Sequence, residues 1–315
     1  MTEIRAQSVD VVVIGGGPTG SAAVLWCARS GLAVMLVERE WFPRHRPGET
    51  LPPAAEVLFG QLGVADAVSQ RRFLRHEGIW AEWAGPRRFT AFGSDADGPW
   101  RGFQAPRDQL DRLLLDAAIG AGVVVEQPAR AARVLLANGR VAGIATAGSR
   151  ISATWVVDAS GGQHWLARRL SIPRRLVSPR LIARYGYARG QYPIPYEGPE
   201  LVSDESGWTW TAQIGTDLYH WTRLSFAEHD PRRDKPPPAF SALTPLAPPR
   251  GADVSWRIVE RPAGPGYLCV GDAASVLDPA SSHGVLKALM SGMMAGHVIT
   301  ESARGAVPSA IAIRD

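Results

Sequence analysis

Three glycines, Gly15, Gly17 and Gly20, stand directly after an apolar β-branched run and directly before a segment able to form a helix. In that setting Gly15 permits a tight turn, Gly17 lets the backbone approach a pyrophosphate, and Gly20 allows close helix packing. The helix start adds positive potential for the phosphates. Glu38 ends the next strand-like run, 23 residues after Gly15, where its carboxylate can accept hydrogen bonds from a ribose diol. Arg39 follows it and is a further candidate contact for the same nucleotide. This spacing points to a bound dinucleotide but does not choose between FAD and NAD.

The elements that must position these residues can be read from periodicity. Residues 9–14 form a continuous apolar run, as in a strand buried on both faces of a parallel sheet. Residues 18–30 open on Pro18, suited to a first helical turn, and end before Gly31, a helix-stop residue. Residues 33–38 complete a strand, helix, strand unit. A helix is expected at about 54–62, and a second over 107–122, where Leu110, Leu113, Leu114 and Ala117 share one face. Strands are expected at 123–126, 132–137 and 140–147, the last two joined by Asn138 and Gly139 as a hairpin, and another at 155–159. From about 174 to 259 the texture turns to short aromatic-rich strands, and seven prolines between Pro231 and Pro249 predict an exposed loop or flap. A buried strand at 267–270 and a helix at about 285–300 close the pattern. Met290, Met293 and Met294 on that helix are read as core filling.

Composition removes several classes. The 315 residues are 45% hydrophobic and 20% charged, enough for a sizeable core and unlike a disordered chain. The net charge is only +4, and the arginines come in scattered pairs, which argues against a nucleic-acid partner. No stretch approaches a membrane span and the first residues are unlike a signal peptide, so a cytoplasmic protein without membrane contact is expected. Cys27 and Cys269 lie among apolar neighbours and read as buried thiols. No histidine pair has metal-ligand spacing, so no metal site is expected. His220 is read as an ordinary strand histidine.

The segment YLCVGD at 267–272 resembles the second fingerprint of FAD-dependent hydroxylases of the p-hydroxybenzoate hydroxylase type. VVDASGG at 156–162 resembles the strand-end motif between the two fingerprints, and Arg107 resembles the arginine on a helix lining the FAD. The resemblance implies FAD as cofactor, with Asp272 on a ribityl hydroxyl and Asp158 and Arg107 among the cofactor-binding residues. It also implies a Rossmann-type FAD-binding α/β domain in two parts, 1–172 and 262–315, with an inserted β-rich substrate domain at 173–261. Within that superfamily PRHRPGETLPP, GWTWTAQI and DPASSHGVLKAL resemble the flavin-dependent tryptophan halogenases and their non-halogenating relatives. Glu49 and Pro47 are thereby carried to the isoalloxazine ring. A helix opening at Gly284 and Val285 would aim its free N–H groups at the flavin N1 and C2 carbonyl. His283, on the same loop, and Glu49 are the candidate catalytic groups.

The halogenase pattern is broken in three places. No lysine occurs before residue 235, Ser281 stands where halogenases carry a glutamate, and Ala212 and Gln213 replace the Ile-Pro of the tryptophan motif. The resemblance therefore implies a non-halogenating monooxygenase that hydroxylates a small or peptidyl aromatic, tryptophan-like substrate through a flavin C4a-hydroperoxide. NAD(P)H is the electron donor expected, directly or through a flavin reductase. The alternatives are a flavin-dependent halogenase, a prenyl-chain reductase, or a shortened non-catalytic flavin-binding remnant, since the chain ends at Asp315 soon after the last flavin-associated helix. Clustering of Trp80, Trp83, Trp100, Trp208, Trp210 and Trp221 is read as core packing, with an aromatic wall against a planar substrate as the alternative.

Overall fold

The computed structural model describes residues 5–44, 46–192, 196–226 and 235–306. The glycine-bounded run at the start forms a strand, Arg5–Ile14, which pairs in parallel with Val34–Val37 on one side and Ser149–Asp158 on the other. Val124–Glu126 adds in parallel beyond Val34–Val37, and Tyr267–Cys269 pairs in parallel with the end of Ser149–Asp158. Register places Ile14 beside Val37 and Asp158, and Asp158 beside Cys269. The four following loops, at Gly15, Glu38, Ala159 and Val270, therefore leave the sheet on one edge, where α/β folds bind ligands.

Helix Pro18–Arg29 packs on one face of this sheet together with Arg107–Gly120 and Gly284–Ala303, enclosing Val11, Val13, Leu25, Leu114, Val157 and Leu289. The opposite face buries Val12, Met35, Ile144, Val156 and Leu166. The predicted Asn138–Gly139 hairpin joins Arg133–Ala137 to Arg140–Ala145, both turn residues having positive φ as that turn requires. Strand 155–159 is longer than expected. Its polar N-terminal half, Ser149 to Thr154, alternates exposed and buried residues and hides the continuity in the sequence.

A second sheet runs Ile182–Arg189, Leu218–Ser225, Gly207–Gln213, Glu200–Asp204 in antiparallel order, then continues into Gly78–Glu82 and Arg88–Ala91. Pairing crosses the expected divisions at 172/173 and 261/262. Residues 78–91 belong to this second sheet, across the first division, and Arg174–Leu176, Arg257–Val259 and Ser275–Val276 form one small sheet that crosses the second. Such partners lie far apart in sequence and give no local signal.

Part of the proline-rich segment falls outside the described residues. The remainder is not simply an exposed flap, because Phe240 and Leu243 are buried against Tyr219 and Trp221. The final helix buries Met293 but leaves Met290 and Met294 exposed, at 53% and 61%, because they lie on its outer face. Cys27 and Cys269 are buried, and burial pushes the Cys27 thiol up to about 12. Among the described residues no helix is long and apolar enough to cross a membrane, and no His/Cys/Asp/Glu group is arranged to hold a metal ion.

Candidate active site

One cavity of about 790 Å³ opens along the strand-end edge. Its cofactor-like end is lined by Gly15, Gly17, Glu38, Arg39 and Arg107, and by Asp272, Gly284 and Val285 from the other end of the chain. Packing explains why these distant segments meet. Gly292 of the final helix faces the Thr19 carbonyl and Ala22 of the glycine-turn helix, and Gly296 faces Trp26, so the first turn of the glycine-turn helix lies closely against the body of the final helix.

The glycine turn fits a pyrophosphate. A Cβ at Gly15 would lie 2.5 Å from the Ala159 carbonyl oxygen, and one at Gly20 would lie 1.8 Å from the Gly15 carbonyl oxygen. At Gly17 it would meet only the Arg44 guanidinium, at 3.4 Å, so this glycine faces the open cavity. Gly16 N–H donates to Glu38 Oε2 at 2.7 Å, and Glu40 N–H donates to Oε1 at 2.9 Å, which fixes the carboxylate at the strand end. Arg44 bridges Glu38 (3.8 Å) and Asp111 (3.7 Å), and its buried Nε has no partner. A buried guanidinium with a spare donor suits an anionic ligand, because an unmade hydrogen bond there is costly. Arg107 donates through Nε and Nη2 to buried Asp111 and through Nη1 to the Pro47 carbonyl, so Asp111 orients both arginines.

The second fingerprint contributes Asp272, whose Oδ1 accepts from Lys287 Nζ at 2.8 Å. Helix Gly284–Ala303 begins at Gly284 as expected, with its first residues lining the cavity and no side-chain cap on its N–H groups. Those free donors suit the electron-rich edge of a flavin. These residues together fit FAD. Asp158 is placed differently from its carried-over role. It is fully buried and accepts from Ser160 N–H at 2.9 Å and Leu166 N–H at 2.7 Å, so it holds the 159–166 loop and does not line the cavity. Burial raises its carboxyl above the usual range, and those two hydrogen bonds oppose the rise.

The other end of the cavity is the wall of the second sheet. Alternation along three neighbouring strands turns Ala183 and Tyr185, Trp208 and Trp210, and His220 and Thr222 inward. Trp208 is 1% exposed, whereas Trp83 and Trp100 lie on the surface at 51% and 46% and take no part in the wall. Glu49 is buried at the junction of the two ends. Its Oε1 accepts from the Tyr187 hydroxyl at 2.6 Å, its Oε2 accepts from Gly48 N–H at 2.8 Å, and His220 Nδ1 stands 3.7 Å from Oε2. Burial lowers the His220 pKa, with Glu49 opposing, and burial also raises the Tyr187 hydroxyl, with Glu49 adding to the rise. His283 also lines the cavity but is exposed, its Nδ1 held on the Ser281 carbonyl.

His220 is a strand residue with a hydrogen-bond partner in Thr222, as read from the sequence, and it also stands in the cavity wall beside Glu49. The alternation His220, Thr222 shows a shared face in the sequence, but not which way that face points. Arg44, inside the segment PRHRPGETLPP, was open to the same reading that singled out Glu49. Tyr187 carried no sequence signal.

Comparison with known proteins agrees with this geometry. The model of the FAD binding domain family matches residues 8–183. The chain is 28% identical over 340 residues to a tryptophan 2-halogenase of Chondromyces crocatus, covering 97% of this chain and 64% of that protein. It therefore spans less than two thirds of that relative. It is also 28% identical over 339 residues to a menaquinone reductase of Mycolicibacterium smegmatis, covering 92% of this chain and 76% of that protein. Among solved structures, the myxobacterial chondrochloren halogenase CndH superposes with a TM-score of 0.88 at 25% identity, over 98% of this chain and 78% of that one. The match over 8–183, together with a turn in which Gly15 and Gly20 leave no room for a side chain, shows that this chain belongs to the FAD binding domain family.

Proposed function

We propose that the chain is an FAD-dependent monooxygenase that hydroxylates an electron-rich arene, free or peptidyl tryptophan-like arenes included. Electrons come from NAD(P)H, directly or through a flavin reductase. The observation that carries this reading is a single cavity that joins the FAD cradle to a wall of Tyr185, Trp208 and Trp210 and has no free lysine in that wall. Lys287 is held by Asp272 and the Ser275 carbonyl, and Lys235 does not line the cavity.

FAD, when bound, supplies the oxygen-activating chemistry. The glycine turn and Arg44 would hold its phosphates, Glu38 and Arg39 its adenosine, and Asp272 and Arg107 its middle. The open N-terminus at Gly284 and Val285 would favour negative charge on the flavin ring. The aromatic wall orients a planar substrate and excludes water from the reacting face. In the overall balance one oxygen atom enters the arene and the other leaves as water, with two electrons supplied by NAD(P)H.

The names of the two relatives define the arms of the test. Chain loaded with FAD is given a reductant, oxygen and indole or phenol substrates with bromide present, and in parallel a menaquinone without oxygen. Oxygen uptake with a product gaining one oxygen and no bromine is the expected result. A brominated product, or reduction of the menaquinone without oxygen and no oxygen uptake with any arene, contradicts the proposal.

A further inference from the structure

We propose that Glu49, His220 and Thr222 form the proton-accepting chain of the substrate pocket, with Tyr187 as its positioning residue, so that the arene taken there carries a hydroxyl set against Thr222. This rests on the reading of the cavity as a substrate site, and narrows its substrate class, but does not depend on the oxygen chemistry.

The strand pairing builds the cluster. Tyr187 lies opposite His220, and Tyr185 lies opposite Thr222, so the imidazole is framed by two phenol rings, with the Tyr187 ring centroid 5.0 Å away. The Tyr187 hydroxyl and Gly48 N–H fix one Glu49 oxygen each, which leaves the carboxylate facing His220 Nδ1 at 3.7 Å. On its other side His220 Nε2 stands 3.2 Å from Thr222 Oγ1. A carboxylate on the Nδ1 side assigns the neutral ring's proton to Nδ1, so Nε2 is the acceptor for the Thr222 hydroxyl.

The step then balances within the pocket. The substrate O–H proton passes to Thr222 Oγ1 as the Thr222 proton passes to His220 Nε2. The resulting imidazolium faces Glu49, the substrate is left as its oxyanion, and no electrons change carrier. Charge development on a hydroxyl-bearing arene is what an electrophilic oxygen transfer needs. The 3.7 Å gap is long for a hydrogen bond and within ion-pair reach, which suits a partner engaged on protonation. The titratable groups facing His220 are Glu49 from its loop and Tyr185 and Tyr187 from one neighbouring strand, with the Arg107 guanidinium behind Glu49. The other neighbouring strand presents Trp210 and Ala212, which carry no charge.

The test uses 4-nitrophenol, whose oxyanion has its own absorption band, added to the FAD-loaded chain at a pH below that at which the free phenol ionises. The account expects the bound oxyanion fraction to rise about tenfold over the free phenol, one pKa unit of stabilisation. His220→Phe and Thr222→Val should abolish the band, and Tyr187→Phe should weaken it. Retained flavin absorbance shows that each variant is folded, and His220→Gln serves where the phenylalanine variant loses flavin. No band at saturating 4-nitrophenol with the unmodified chain, or a full band in folded His220→Phe and His220→Gln, overturns the proposal. A band with no oxygen uptake leaves it standing and removes the monooxygenase reading instead.

Discussion

At the residue scale, the site is set by a few groups that have little freedom. Glu38 is pinned by two backbone N–H groups and faces Arg44, so its carboxylate is held still for the ribose-binding role proposed for it. Glu38→Ala removes charge-assisted hydrogen bonds worth about 1.5–3 kcal/mol in total. It should weaken FAD binding about tenfold or more, read by quenching of flavin fluorescence on titration. Gly15→Ala should act more severely, because the added Cβ meets the Ala159 carbonyl and cannot be accommodated without moving the strand end. Asp158→Asn is expected to behave differently from both. It disturbs the 159–166 loop through its lost acceptor and should lower thermal stability, with any FAD loss following from that shift.

At the element scale, the account depends on how closely the final helix lies on the glycine-turn helix. Gly292 is the contact point, and a Cβ there would stand 2.2 Å from the Thr19 carbonyl oxygen. Gly292→Ala should destabilise the fold by about 1–3 kcal/mol through overpacking and weaken FAD binding, because it pushes the first turn of the glycine-turn helix away from the final helix. Thermal melting with and without FAD measures both effects. Gly60→Ala, at a helical glycine with open space around it, is the matched control and should leave FAD binding unchanged and the melting temperature the same or slightly higher. Local elements were largely legible in the sequence: the glycine turn, the Leu110 face and the Asn138–Gly139 hairpin each carry their signal within a few residues. What was not legible is long-range. Residues 78–91 enter the second sheet through strand 200–204, and Tyr187 meets Glu49 across 138 residues. Periodicity records which side of a strand is apolar, not which strand will lie beside it.

At the scale of the whole molecule, stability should fall in mild acid, with His76 one contributor. Burial, and then the Arg75 charge, lower its pKa to about 4 from an ordinary 6.5. A histidine depressed in the folded state favours its neutral form. Its contribution is complete above about 6.5 and is lost as pH falls toward 4, where the unfolded chain takes the proton first. The span is worth about 3 kcal/mol. His76→Gln should flatten the fall of melting temperature over that window, and an unchanged slope would remove His76 as its source. Buried His220 and His164, also lowered by burial, add in the same direction.

At this scale too, the glycine turn after the first strand and the segment from Asp272 to Val285 are proposed to grip one extended FAD. A crystal structure of the chain with bound FAD tests it most directly. The account predicts continuous density for a single molecule, its adenosine at Glu38, its pyrophosphate at Gly17 and its isoalloxazine ring at the Gly284 helix start with the far face toward Trp208 and His220. A flavin seated away from either segment, or two nucleotides held on separate surfaces, would contradict it.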